Sequence, residues 1–155
     1  NAATAEQVAH LTRSIAGPLE DAWLLDSGWF LRHAREAYRH LWDEVYLGKC
    51  ALTGWIYASE NGTDTHPAER GRAVQQILLD AIEVVRARET GDRARDRRRY
   101  EVLHTTYVQN LSVEEITEKM SVSRRQYFYT LKDALETVTH DIVHREVADE
   151  EPVQA

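Results

Sequence analysis

An all-α fold is predicted by three features of this 155-residue chain. Only three prolines and seven glycines interrupt it, apolar side chains recur every three or four residues, and few stretches alternate apolar with polar residues as a half-buried strand would. The length is enough for one or two small domains with a real core.

Residues 4–15 are expected to form the first helix, with Thr4 as N-cap and Gln7 completing a capping box. Val8, Leu11 and Ile15 make its apolar stripe. Gly17-Pro18 breaks that helix, and Pro18 is placed to open a short one containing Leu19, Trp23 and Leu24. A longer helix should follow Ser27 and reach about residue 47, its core face formed by Phe30, Ala34, Tyr38, Leu41 and Val45, with Gly48 as its stop. The apolar stretch 51–58 leads into Asn61-Gly62-Thr63-Asp64, a turn by composition. Pro67 starts the next helix, which runs to about residue 88 on a face of Val74, Ile77, Leu78, Ala81, Ile82 and Val85. Residues 89–92 read as a linker. The expected organisation is therefore a helical domain over 1–90 for dimerisation or sensing, a second domain over 91–145, and an acidic, frayed tail over 146–155.

The second domain carries the clearest pattern, RRRYEVLHTTYVQN-LSVEEITEKM-SVS-RRQYFYTLKDALETV, spanning roughly residues 98–143. Ser112 N-caps a helix with Glu115 at its third position, and Ser123 N-caps the next with Gln126 in the same place. Two such boxes eleven residues apart, separated by a short helix and a three-residue turn, are the spacing of a helix-turn-helix. Ile116 and Met120 should face inward, Val122 should plug the turn, and Tyr127, Leu131, Ala134, Leu135 and Val138 should line the last helix. That leaves Arg124, Arg125, Phe128, Tyr129 and Lys132 outward.

The segment LSVEEITEKMSVSRRQYFYTLKDALETV resembles the promoter-reading domain of bacterial sigma factors and the DNA-binding modules of LuxR-type regulators. Those families share a Tyr, a short gap, Leu-Ser, Glu-Ile and a hydrophobic-Ser turn before the recognition helix. It resembles more closely still a group of bacterial regulators whose recognition helix begins Ser-Arg-Arg-Gln, and AERGRAVQQILLDAIEVVRAR is similar to that group too. The resemblance covers residues 68–143 well and the first sixty loosely. It implies a bacterial transcription regulator whose last helix lies in the major groove of double-stranded DNA. Arg124 or Arg125 would bond bidentately to guanine, and Gln126 to adenine unless capping consumes it. Phe128 would face the DNA beside them, and Tyr129 would touch a phosphate or a thymine methyl. Ser112, Ser121, Ser123 and Lys132 would position the DNA backbone. Position 129 is often basic in similar modules and is Tyr here, which implies weaker binding or a homodimer summing two half-sites. Either the Trp-rich region or the 67–88 helix would supply the dimer interface.

Net charge, −7, points away from nucleic acid until its distribution is considered. Residues 92–133 hold nine Lys/Arg against seven Asp/Glu, whereas the remainder holds ten against nineteen. Affinity depends on where cations sit and on how many phosphates they neutralise. The run RARDRRR over 93–99 is read either as a flanking phosphate contact or as a solvated helix start.

The remaining constellations are weaker. His33, Glu36, His40 and Glu44 share a face at metal-ligand spacing, but it lies opposite the apolar stripe and reads as exposed pairing. Trp23, Trp29, Trp42 and Trp55 read as core and interface, or as the lining of a ligand pocket. Cys50 is a lone thiol, so no internal disulfide forms, and a reducing cytoplasm is expected. No apolar run approaches the ~20 residues that would span a membrane, and no secretory pattern opens the chain. With no phosphate loop and no nucleophile–base arrangement, neither a cofactor nor an enzymatic activity is expected. A different class of function also fits the pattern, a module that docks on RNA polymerase or a partner regulator through its acidic balance and the aromatic run Tyr127-Phe128-Tyr129.

Overall fold

The computed structural model describes residues 19–58, 66–88 and 92–149, together with Thr4, Ala5 and Gln7. Every element among the described residues is helical: α1 (Leu19–Arg39), α2 (Glu44–Lys49), α3 (Ala51–Ile56), α4 (Pro67–Ala87), α5 (Arg93–Leu103), a π-helical turn (His104–Val108), α6 (Val113–Met120) and α7 (Arg124–Asp149). Most of the expected 4–15 helix, the 61–64 turn and the end of the acidic tail lie outside the described residues. Of the first helix, the capping box is seen: Gln7 N–H donates to Thr4 Oγ1 at 3.2 Å, and Thr4 N–H donates to Gln7 Oε1 at 3.0 Å.

Two helix boundaries differ from the periodicity. No break occurs at Ser27; α1 runs through it because Trp29, Phe30, Ala34, Ala37 and Tyr38 are all buried, and that packing outweighs the weak local preference of Ser-Gly. The same helix ends at Arg39 instead of near residue 47. Asp43 is extended (φ −106°, ψ 91°), and its carboxylate accepts the Tyr46 N–H at 3.0 Å, capping a new helix in the middle of the apolar pattern. The orphaned Leu41 carbonyl accepts from Gln75 Nε2 at 2.8 Å. Val45 consequently sits on the surface, 62% exposed, and not in the core as its register had implied. The break also removes the shared face of His33, Glu36, His40 and Glu44. His33 lies against Trp29, His40 stacks on Tyr46, and Glu44 belongs to α2. Among the described residues no group of three potential ligands is placed to hold a metal.

Gly48 lies within α2 and does not stop it. Its role is contact. A Cβ at Gly48 would fall on the Pro67 carbonyl, and one at Gly71 on the Glu44 carbonyl, so the two glycines let the backbones of α2 and α4 touch. Pro67 opens α4 as expected, and Val74, Leu78, Ala81, Ile82 and Val85 are buried.

One apolar cluster joins both sides of the 89–91 joint. Phe30, Tyr38, Leu41 and Leu47 share it with Leu78, Ile82, Leu103, Leu135 and Ile142. α1 and α5 both pack on α7, and α4 bridges α2 and α5. The Tyr38 hydroxyl donates to the Leu78 carbonyl at 2.9 Å, and burial pushes this phenol far above its ordinary range. Arg88, which caps the end of α4, donates from one terminal nitrogen, Nη2, to both carboxylate oxygens of Asp141 on α7, each at 2.6 Å. Trp29 and Trp55 are buried, each edge-on to Phe30, whereas Trp42 is 52% exposed; the side chain of Trp23 is outside the described residues. No described helix is long and apolar enough to cross a membrane.

Gly71→Ala is predicted to cost about 3 kcal/mol by forcing α2 off α4, read as a lowered urea midpoint with an unchanged slope. The control is Gly28→Ala on α1, where a Cβ meets nothing within 4 Å; it should raise stability by about 0.5–1 kcal/mol.

Candidate nucleic-acid interface

Residues 93–132 build a surface from the caps outward. Asp92 caps α5, its carboxylate accepting the Arg95 N–H at 3.0 Å. At the far end the helix widens by one residue, so that Gln109 N–H reaches the His104 carbonyl at 2.9 Å. This π turn sets Thr106 against α7, where its hydroxyl bonds the Tyr127 hydroxyl at 2.9 Å. Trp42 donates its indole N–H to the Tyr107 carbonyl at 3.2 Å, tying the α1–α2 turn to the same segment. Tyr107 is buried among aromatics, and desolvation pushes its phenol up to about 12.

Asn110 adopts a left-handed conformation (φ 53°) and turns the chain into Ser112. The Ser112 hydroxyl accepts the Glu115 N–H at 3.1 Å and lies 3.1 Å from Glu115 Oε1, to which it donates. α6 ends at Ser121, also left-handed (φ 54°), with Val122 N–H bonded to the Thr117 carbonyl and Ser121 N–H to that of Glu118. This is the Schellman closure, with Ser in the position that Gly usually takes. Ser123 and Gln126 then form both halves of a capping box, at 3.1 and 3.2 Å. Ile116, Tyr127 and Val102 are buried together, with Met120, Val122 and Leu131 packed around them.

The nine candidate residues fall into three sets. Ser112, Ser123 and Gln126 hold helix ends, and Gln126 Oε1 is occupied by the Ser123 N–H, which leaves its amide NH2 to offer. Ser121 sits exposed in the turn. Arg124, Arg125, Phe128, Tyr129 and Lys132 all face solvent, with Phe128 49% and Tyr129 65% exposed. The two arginines lie over these rings, Arg124 at 5.9 Å from Phe128 and Arg125 at 5.8 Å from Tyr129. Arg124 also bonds Glu114 Oε1 at 2.9 Å, across the turn. That carboxyl is held below its ordinary range, first by its own backbone N–H and then by Arg124. Glu114 therefore belongs to the site, although sequence spacing alone marks it only as a first-turn acid.

The arginine run splits. Arg99 is buried to 14% side-chain exposure and forks onto Asp133 of α7 at 2.8 and 3.1 Å, while also bonding Asp96 at 3.0 Å. Arg95 adds a longer pair to Asp133 at 3.4 Å. These two arginines dock α5 on α7. Arg93, Arg97 and Arg98 are exposed and line an open cleft of about 810 Å3 between the end of α4 and α5. A second groove, of about 360 Å3, runs between α1 and α7 beside Lys132 and includes Arg32, Arg35 and Arg39. Sequence reasoning passed over these three; their spacing at i, i+3 and i+7 was the available signal.

Compared with family models, with curated proteins and with solved structures, the chain gives no match.

Hydrogen bonding to Arg99 holds the Asp133 carboxyl below its usual range, so the pair adds stability above the unfolded carboxylate pKa and loses it as the pH falls through the lower folded value. Asp133→Asn should destabilise the protein by about 2 kcal/mol at neutral pH, and the gap to the parent should close as the pH drops below about 4. Thermal melts of both proteins across that range check the sign; a gap that is constant with pH would refute it.

Proposed function

We propose that this chain binds duplex DNA sequence-specifically through the first half of α7, acting as a bacterial transcription regulator of the helix-turn-helix kind. The observation that carries the reading is the joint between α6 and α7. A left-handed turn and a complete capping box fix the start of α7, Tyr127 and Leu131 anchor it inward, and Arg124, Arg125, Phe128, Tyr129 and Lys132 are left outward on its opening turns. A helix end so held, carrying two guanidiniums and exposed N–H groups, has the chemistry to enter a major groove and read guanine. Arg124 would exchange Glu114 for the DNA, a swap of little cost because both groups are exposed and water screens the pair. Pairing of two copies belongs to the proposal, since one small module buries little surface. With Trp29 and Trp55 in the core, Trp42, Val45 and Val84 are the exposed large apolar side chains outside α7 among the described residues, and they are offered as the dimer contact.

A second reading, docking on RNA polymerase or a partner regulator, is favoured by one specific feature. Phe128 and Tyr129 are large exposed aromatics, Glu114 of α6 is joined to them through Arg124, which lies over Phe128, and Glu115 and Glu118 are exposed on the same short helix. Such a mixed apolar and acidic surface suits a basic protein partner.

Selection from a random duplex pool separates the two. The expected result is an enriched motif, palindromic if the protein pairs, bound about 10–100-fold more weakly once Arg124 and Arg125 are both Ala. Failure to enrich any sequence even at low salt would overturn DNA binding and leave protein docking.

A further inference from the structure

Resting on the reading of α7 as the DNA-facing helix, we propose that α1 supplies a second line of phosphate contacts, made by Arg32, Arg35 and Arg39 alongside Lys132. The three arginines stand at i, i+3 and i+7, one stripe of a helix, and span about 10 Å along its axis. They line the 360 Å3 groove between α1 and α7 together with Lys132. Glu36 and Glu136 share that lining, which leaves the cations in excess by two.

Continuity with the α7 surface comes from helical register. Arg125, Tyr129, Lys132 and Glu136 recur at i, i+4, i+7 and i+11, so the stripe that begins at the outward arginine runs directly into the groove. The charges of Arg35 and Arg39 also reach the Tyr107 phenol, which lies beside Tyr127 of α7. Among the described residues Arg32 and Arg35 make no ion pair. Arg39 bonds Glu36 at 2.9 Å, but both are exposed and the pair is readily exchanged.

A row of guanidiniums on a rigid helix, along an open groove whose lining also includes Leu31 and Leu135, fits the repeated anions of one DNA strand, spaced about 3.4 Å along the axis. It would carry no sequence information and would fix register and orientation. It also answers the objection from net charge, because the cations facing the duplex then come from two helices and not from α7 alone.

The test is the salt dependence of binding to a fluorescent mixed-sequence duplex, for the parent, for Arg32→Gln/Arg35→Gln, and for Lys49→Gln/Arg72→Gln, exposed on α2 and α4 outside both candidate surfaces, as a control of equal charge change. Circular dichroism melts establish that each variant is folded. The expected result is a log–log salt slope shallower by about 2 for the α1 variant, an affinity about tenfold lower on every duplex sequence alike, and a smaller change for the control. An α1 variant with the parent's slope overturns the proposal while leaving α7 as the reader. An equal loss in the control also overturns it, since net charge would then explain the effect. A parent that binds no duplex at low salt overturns the underlying reading and this one with it.

Discussion

Because α7 runs unbroken for 26 residues, the side chains facing solvent at its start and those filling the core at its end are positioned by one rigid rod. Tyr127 and Leu131 meet α5 and α6, while Ala134, Leu135, Val138 and Ile142 meet α1 and α4. Both sets obey the same 3.6-residue period, so a rotation that improved one contact would spoil the other. The ties that hold the rod are directional. Arg99 forks onto Asp133, one nitrogen of Arg88 bridges the Asp141 carboxylate, and the Thr106 hydroxyl meets that of Tyr127. The outward arginines at 124 and 125 therefore inherit their placement from residues as distant in sequence as Phe30 and Leu78.

The electrostatics of the surface follow from where carboxylates stand. Asp96 and Asp133 claim Arg99, Asp133 also claims Arg95, and Asp141 claims Arg88, which turns part of the basic composition into structure. Glu114 claims Arg124 only at the surface, where water competes with the pair. Buried Asp96 and half-buried Asp133 and Asp141 thus hold arginines in place between helices, while Arg32 and Arg35 make no ion pair among the described residues. In the proposed reading, that partition matters more for a phosphate partner than the total of −7.

Much of this architecture is readable from local signals. Pro67 with the stripe from Val74 to Val85 specifies α4, and the Ser112 and Ser123 boxes place the starts of α6 and α7, because caps act on the backbone within three residues. The break at residues 40–43 is not readable in the same way. Leu41 and Val45 continue the apolar period, and the competing signal, Asp43 capping Tyr46, is one residue strong. The closeness of α2 to α4 through Gly48 and Gly71, and the pairing of Glu114 with Arg124, depend on tertiary placement that periodicity does not encode. The fate of the arginine run is similar: helical spacing shows that Arg95 and Arg99 share a face, but only the position of α7 shows that Asp133 waits there.

Coupling of the start of α7 to the core is the physical claim on which the rest stands, and native-state hydrogen exchange with increasing urea measures it directly. If the rod is coupled, the amides of Tyr127 and Leu131 open with the same free energy and the same urea dependence as those of Tyr38 and Leu78. Exchange at Tyr127 and Leu131 through a separate, smaller opening would contradict it, and would make residues 93–132 a module that folds and moves on its own.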